Sequence, residues 1–111
     1  MANNLNSLIL EGVVKGEPHH TELGGSSKMS FTIESCRYYK TRDGDNATER
    51  SQFKVVAYGR MCDLPLTDGR GLRLVGRIRE NTWSEDGVTH SEVQVVAEHI
   101  EVRGGKNGKT N

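Results

Sequence analysis

The chain has 111 residues, 15 Lys or Arg against 15 Asp or Glu, 33% hydrophobic residues, 13 glycines and 2 cysteines. That length holds one core and not two, and the glycine-rich, modestly apolar composition suits a strand-rich domain with many turns better than a helical bundle. Cys36 and Cys62 lack CxxC spacing, Ala2 to Asn6 is polar where a secretory leader would be apolar, and no apolar run approaches membrane length, so a reduced, cytoplasmic protein is expected.

Leu8, Ile9 and Leu10, followed by Glu11, Gly12, Val13 and Val14, read as a buried strand over Asn6 to Val14 with a bend or bulge at Gly12. Lys15 to Ser27 holds Gly16, Pro18, Gly24 and Gly25 and reads as a turn region, with room for a few extended residues at His20 to Leu23. His19 and His20 are adjacent but have no Cys or Asp at ligand spacing, so no metal site and no cofactor are expected. Met29, Phe31 and Ile33 then alternate with Ser30, Thr32 and Glu34, a second strand that runs on through Cys36 to Lys40. Thr41 to Arg50 is polar, turns at Asp43-Gly44-Asp45-Asn46, and reads as a mobile hairpin loop.

In the third strand, Ser51 to Tyr58, Phe53, Val55 and Ala57 form a core face; Gln52, Lys54, Val56 and Tyr58 form the other. Phe31 and Phe53 are expected in the core. The period is lost from Gly59 to Gly71, where Pro65 tolerates only the first turn of a helix, so a short irregular connection follows. Leu72, Leu74, Gly76 and Ile78 next alternate with Arg73, Val75, Arg77 and Arg79, giving a strand with one core face and one basic face. Val93, Val95 and Ala97 alternate with Glu92, Gln94, Val96 and Glu98, and the Glu85-Asp86-Gly87 turn signal joins the two runs into a long hairpin. Trp83, the only tryptophan, falls in the polar connector Asn81 to His90, either folded back as a local plug or free to meet a partner. Arg103 to Asn111 has no apolar residue and is expected to be a disordered tail to a domain spanning 1–102.

Charge is balanced overall but segregated along the chain. From Arg37 to Arg79 there are ten bases against five acids; from Glu80 to Glu101 there are six acids and no base. A neutral total is therefore compatible with a basic binding face.

Five strands, with a non-strand connection between the third and fourth, is the count of an all-β Greek-key barrel of the OB type, whose ligand face lies around its second and third strands. Binding of a single nucleic-acid strand on such a barrel needs cations that follow the phosphates and flat side chains on which bases stack. Tyr38, Tyr39, Tyr58 and Trp83 are the flat candidates, and Arg37, Lys40, Lys54, Arg73, Arg77 and Arg79 the cations. Tyr38 and Tyr39 are neighbours on one strand and face opposite ways, so only one of them can share a given face.

These segments resemble the bacterial single-stranded DNA-binding proteins. Asn4-Leu5-Asn6-Ser7-Leu8-Ile9-Leu10-Glu11-Gly12 is similar to that family's first strand, Ser30-Phe31-Thr32-Ile33 to its second, and Val55-Val56-Ala57-Tyr58-Gly59-Arg60 to its third. Val75-Gly76-Arg77-Ile78-Arg79 resembles the fourth strand, and Trp83-Ser84-Glu85-Asp86-Gly87 the last loop, so the likeness spans residues 4 to 102. It implies sequence-tolerant binding and protection of single-stranded DNA in replication, recombination and repair, with Tyr39, Tyr58 and Trp83 at stacking positions. Gln52 stands at a fourth stacking position, which implies that this platform is lost. The segment around Pro65 is shorter than the family's helix. The sequence ends at Asn111 without the acidic tip through which the family recruits replication and repair proteins. A primosomal replication protein of the PriB type shares the barrel and the length and is the nearest alternative.

Other classes fit less well. No Ser-His-Asp or paired-carboxylate arrangement points to an enzyme, whereas a barrel turned to protein interaction without nucleic acid remains a rival because net charge is zero. The continuous Leu8-Ile9-Leu10 run suggests a strand covered on both faces or along its edge, so a homo-oligomer, dimer or tetramer, is expected with Asn6, Leu8 and Leu10 in its contact.

Overall fold

The computed structural model describes residues 2–104, which form five strands: β1 Leu8–Leu23, β2 Ser26–Lys40, β3 Asn46–Tyr58, β4 Gly71–Glu85 and β5 Val88–Val102. They close into a barrel in the order β1-β2-β3-β5-β4. Every pairing is antiparallel except a short seam where Val55 and Val56 of β3 meet Val95 and Val96 of β5. Between β3 and β4 the chain makes only a 3-10 turn, Gly59–Asp63. This is the five-stranded Greek-key barrel that the strand count implies, with the helix reduced to one turn.

Period-two alternation builds the core. Val14, Met29, Ile33, Val55, Leu72 and Leu74 are fully enclosed, with Phe31, Val95, Ala97 and Ile100 beside them. Enclosing one such side chain stabilises the fold by about 1.5–3 kcal/mol. Leu66 completes this core from the β3–β4 connection, and Met61, Cys62 and Leu64 pack against it.

The strands are longer than the sequence pattern indicates. β1 does not stop at Val14 but continues to Leu23, leaving Gly24 and Gly25 as the turn. Its irregularity falls between Lys15 and His19, not at Gly12, which pairs regularly with Leu72. Gly12 is needed for another reason: a Cβ there would collide with the backbone carbonyl of Glu34. The expected loop at Thr41 to Arg50 shrinks to 41–45, because β2 and β3 stay in register from Lys28 opposite Tyr58 to Lys40 opposite Asn46 and project as a two-stranded arm. The β4–β5 hairpin also closes tightly. Asp86 and Gly87, at φ 53° and 77°, form a two-residue turn whose left-handed backbone matches strand twist. Trp83 is therefore a strand residue opposite His90 and not a loop residue.

Phe53 and Ile78 correct the sequence reading in another way. By alternation with Val55 and by pairing with Val95 they lie on the core side, yet they are 42% and 48% exposed. Val93, the next inward position of β5, is exposed too. β3, β4 and β5 outrun the barrel there, so among the described residues the inward face continues only partly covered. At the C-terminal end, Arg103 N–H donates to the Gly71 carbonyl and Gly71 N–H to the Gly104 carbonyl, each at 2.7 Å, so these two residues extend the sheet and are not the start of a loose tail. Residues 105–111 of the expected tail lie outside the described residues.

Candidate nucleic-acid interface

The outward face of β3, β5 and β4 gathers most of the residues singled out from the sequence. Val56 lies opposite Val96 across the parallel seam; Val96 faces Arg77 and Gln94 faces Arg79. Alternation then places Lys54, Tyr58, Arg77, Arg79 and Trp83 together on that face. Arg79 is held between two neutral oxygens: its Nη2 donates to Tyr58 OH and to Gln94 Oε1, both at 3.2 Å. Gln94 is 8% exposed and passes the network on, its Nε2 donating to Glu92 Oε1 at 3.2 Å, while Lys54 Nζ stands 3.7 Å from Glu92 Oε2. Farther along the hairpin Trp83 stacks on His90, centroids 5.4 Å apart and planes 23° from parallel. Tyr58 and Trp83 each keep part of their rings exposed. A ring held by protein at one face and open at the other is what a stacking base requires.

Other candidates lie elsewhere. Tyr39 and Arg37 share the parity of Ile33 and Phe31, so they occupy the opposite face of the β2–β3 arm from Lys54 and Tyr58. There the Arg37 guanidinium lies 4.9 Å from the Tyr39 ring centroid, a cation–π pair. Tyr38, 74% exposed, and Lys40 share the parity of Lys54. Gln52 donates to Glu34 Oε2 at 3.2 Å, so the fourth stacking position is occupied by an amide engaged with its cross-strand neighbour.

Arg73 and Arg77 do not form the open basic stripe read from β4. Arg73 grips Glu11 through Nε and Nη2 at 3.2 and 3.0 Å and reaches Glu101 at 3.9 Å. Arg103 meets the same two carboxylates at 3.4 and 3.8 Å, giving a cluster of two cations and two anions. Arg77 pairs with Glu98 at 3.6 Å. The acids gathered after residue 80 are thus folded directly against the bases that precede it. Among the described residues, Arg79 is the β4 arginine whose side chain meets no carboxylate.

Near the N-terminus, Asn6 pairs with β4 through its side chain: Nδ2 donates to the Ile78 carbonyl at 2.8 Å and Oδ1 accepts from Ile78 N–H at 3.0 Å. Leu8 and Leu10 pack against the core, while Ile9 between them is 72% exposed. Sequence reasoning passed over Lys28, which lies directly opposite Tyr58, and Lys15, opposite Thr32. Lys28 was legible in principle, since it precedes Met29 in the alternating run and so shares the outward parity. Lys15 was hidden by the glycine- and proline-containing stretch that reads as a turn.

A model of the Single-strand binding protein family matches residues 5–103. The chain belongs to this family. It is 30% identical over 100 residues to a single-stranded DNA-binding protein of Aquifex aeolicus, covering 86% of this chain and 68% of that one. A single-stranded DNA-binding protein of Xanthomonas axonopodis is 27% identical over 113 residues, covering 96% of this chain and 62% of the relative. Among solved structures, a deletion mutant of the single-stranded DNA-binding protein from Thermus aquaticus superposes with a TM-score of 0.80 at 25% identity, over 97% of this chain and 55% of that one. A Plasmodium falciparum member in complex with single-stranded DNA shares the fold at a TM-score of 0.79 and 18% identity, over 92% and 97% of the two chains.

Proposed function

We propose that this member of the family binds single-stranded DNA with little regard to sequence, covering and protecting it in the cytoplasm during replication, recombination and repair, and that it works by binding and not by catalysis. The observation that carries the proposal is the shared outward face of Tyr58, Arg79, Lys54 and Trp83 in a chain of this family. Bases stack on Tyr58 and Trp83, and Arg79, Arg77 and Lys54 meet the phosphates, Arg77 and Lys54 exchanging solvent-accessible carboxylate partners of small worth for phosphate oxygens. Tyr39 and Arg37 form a second contact on the opposite face of the arm, and Lys40, on the Lys54 face at the arm's end, meets a phosphate where the strand wraps over. Titration with labelled oligo-dT at low salt tests this directly. Binding that quenches Trp83 emission, with duplex DNA bound more weakly, is the expected result; unaltered emission and no complex would reject it.

The same reading includes a homo-oligomer, dimer or tetramer, with the segment from Asn6 to Glu11 in the contact. Ile9 supports it, because a large aliphatic side chain left outward on an otherwise core-packed segment lowers its free energy by being covered. Sedimentation equilibrium at micromolar concentration should give a multiple of 12.3 kDa. A dimer there would favour the primosomal alternative over a tetrameric DNA-coating protein, and a monomer would reject the assembly.

A further inference from the structure

Beside Tyr58, on the side away from β4, the outward surface sinks into a cleft of about 240 Å³ lined by Lys15, Lys28 and Lys54 together with Ser30, Thr32 and Glu17. Buried Val56 and Gln94 also line it and form its floor. The lysines come from three successive strands. Lys15 and Lys54 are both direct partners of Thr32, one across β1–β2 and the other across β2–β3, so they flank it in a single row. With strands about 4.8 Å apart, that row sets the two lysine backbones roughly 10 Å from each other. Lys28 stands on the same face of β2, four residues back and opposite Tyr58. Lys15 and Lys28 enter no ion pair among the described residues, and the one lysine that does, Lys54, holds Glu92 at a solvent-exposed 3.7 Å. The floor is continuous with the stacking platform, because the Gln94 that lines the cleft is the residue that accepts from Arg79.

We propose that this cleft is a backbone-binding subsite: it takes the phosphodiester groups of the single strand next to the bases stacked on Tyr58 and Trp83, with Lys28 and Lys15 as its principal cations and the Ser30 and Thr32 hydroxyls as neutral donors. The assignment rests on the proposed single-strand binding. It extends the contact path from the β4–β5 hairpin across β3 and β2 to the irregular stretch of β1. Glu17 is the one opposing charge in the lining and limits how tightly the cleft holds phosphate.

The test uses the full chain and the double variant Lys15→Gln/Lys28→Gln, with oligo-dT of about 6 and about 16 nucleotides, lengths that bracket what one barrel of this kind covers. Each lost phosphate contact should lower the slope of log affinity against log salt by about 0.7. For the longer oligomer the slope should fall by about 1.4 and affinity at low salt by about tenfold or more, while Trp83 quenching at saturation is retained. The shorter oligomer, long enough only for the stacking platform, should show a smaller deficit. Lys28→Arg should keep the parent slope, and Glu17→Gln should tighten binding. Inorganic polyphosphate, which has charge but no bases, should bind more weakly than oligo-dT and leave Trp83 emission unchanged. If the parent binds oligo-dT and quenches Trp83 but the double variant keeps the parent slope and affinity, the cleft is not on the path, though single-strand binding stands. If the parent does not bind oligo-dT, both readings fall. Polyphosphate bound as tightly as oligo-dT would overturn the assignment to a nucleic-acid backbone. Thermal melts identical to the parent's within a degree or two are expected for all three variants, since every altered side chain is exposed.

Discussion

Two stretches of the barrel's outer surface carry arginines from the same strand and fare differently. Around Arg73, cross-strand neighbours Glu11 and Glu101, with Arg103 beside them, form a closed set of two positive and two negative groups. Around Arg79, six residues along β4, the neighbours are Gln94 and a tyrosine hydroxyl, so the guanidinium is oriented without being neutralised. Alternation along β4 treats the two arginines alike. What separates them is the residue opposite, and with it the local field that a phosphate would meet.

The largest departures should come from the flat side chains of the active stretch. Trp83→Ala and Tyr58→Ala should each cost roughly 1–3 kcal/mol of binding, about five- to 150-fold in affinity for oligo-dT. The Tyr58 change should also loosen Arg79, which loses one of its two acceptors. Equal, small effects of these two variants and of a change at Ile9 would erase the distinction between the two surfaces.

The contrast between Arg73 and Arg79 also marks what the sequence could and could not convey. Strand faces were legible: Met29-Phe31-Ile33 and Leu72-Leu74 lie inside because a half-covered sheet demands a period of two. Whether a face is covered was not. Phe53 and Ile78 obey the same period and still meet solvent, since alternation reports direction and says nothing of whether a neighbouring strand or another chain lies over them. Strand length was poorly legible for a related reason. The β2–β3 arm and the end of the β4–β5 hairpin hold no core and so need no apolar residues to mark them; their order comes from backbone ladders and from the Asp86-Gly87 turn. The aromatic platform was readable residue by residue. The charge map was not, because the sequence lists bases first and acids afterwards, and the hairpin folds one list onto the other.

Charge variants sharpen the comparison at smaller amplitude. Arg79→Ala should weaken binding about three- to tenfold and lower the salt slope by about 0.7, whereas Arg73→Ala should leave the slope unchanged. The reverse experiment is Glu11→Gln/Glu101→Gln, which releases Arg73 and Arg103 from their carboxylates. Binding should tighten about two- to threefold at low salt, and the melting free energy should change by less than about 1 kcal/mol because the four groups are largely exposed. If the double variant binds no better, the neighbourhood of Arg73 is silent because no strand passes there, and neutralisation is not the cause.

The smallest effect is chemical and locates the strand independently of affinity. Cys36, Arg50, Glu34 and Tyr38 line a neighbouring cleft of about 650 Å³ that also contains Glu11 and Arg103 and shares only Lys15 with the phosphate cleft, so Cys36 reports on the neutralised surface. Arg50 Nη1 lies 3.4 Å from its sulfur. Cys62 differs: partial burial pushes its thiol above the ordinary range, and the carboxylates of Asp63 and Glu22 act in the same direction. A raised thiol pKa leaves less thiolate at any pH below it, so iodoacetamide modification of Cys62 should be slow near pH 8 and should quicken as the pH rises toward the shifted value. Saturating oligo-dT should leave the Cys36 rate unchanged while it quenches Trp83, because the proposed path crosses β2 at Lys28 to Thr32 and ends at Lys15, short of Cys36 on the same face, and meets the arm at Tyr39 on the face opposite Cys36. Protection of Cys36 by oligo-dT would show the strand crossing the surface around Glu11 and Arg103, and the division between the two stretches would then have to be redrawn.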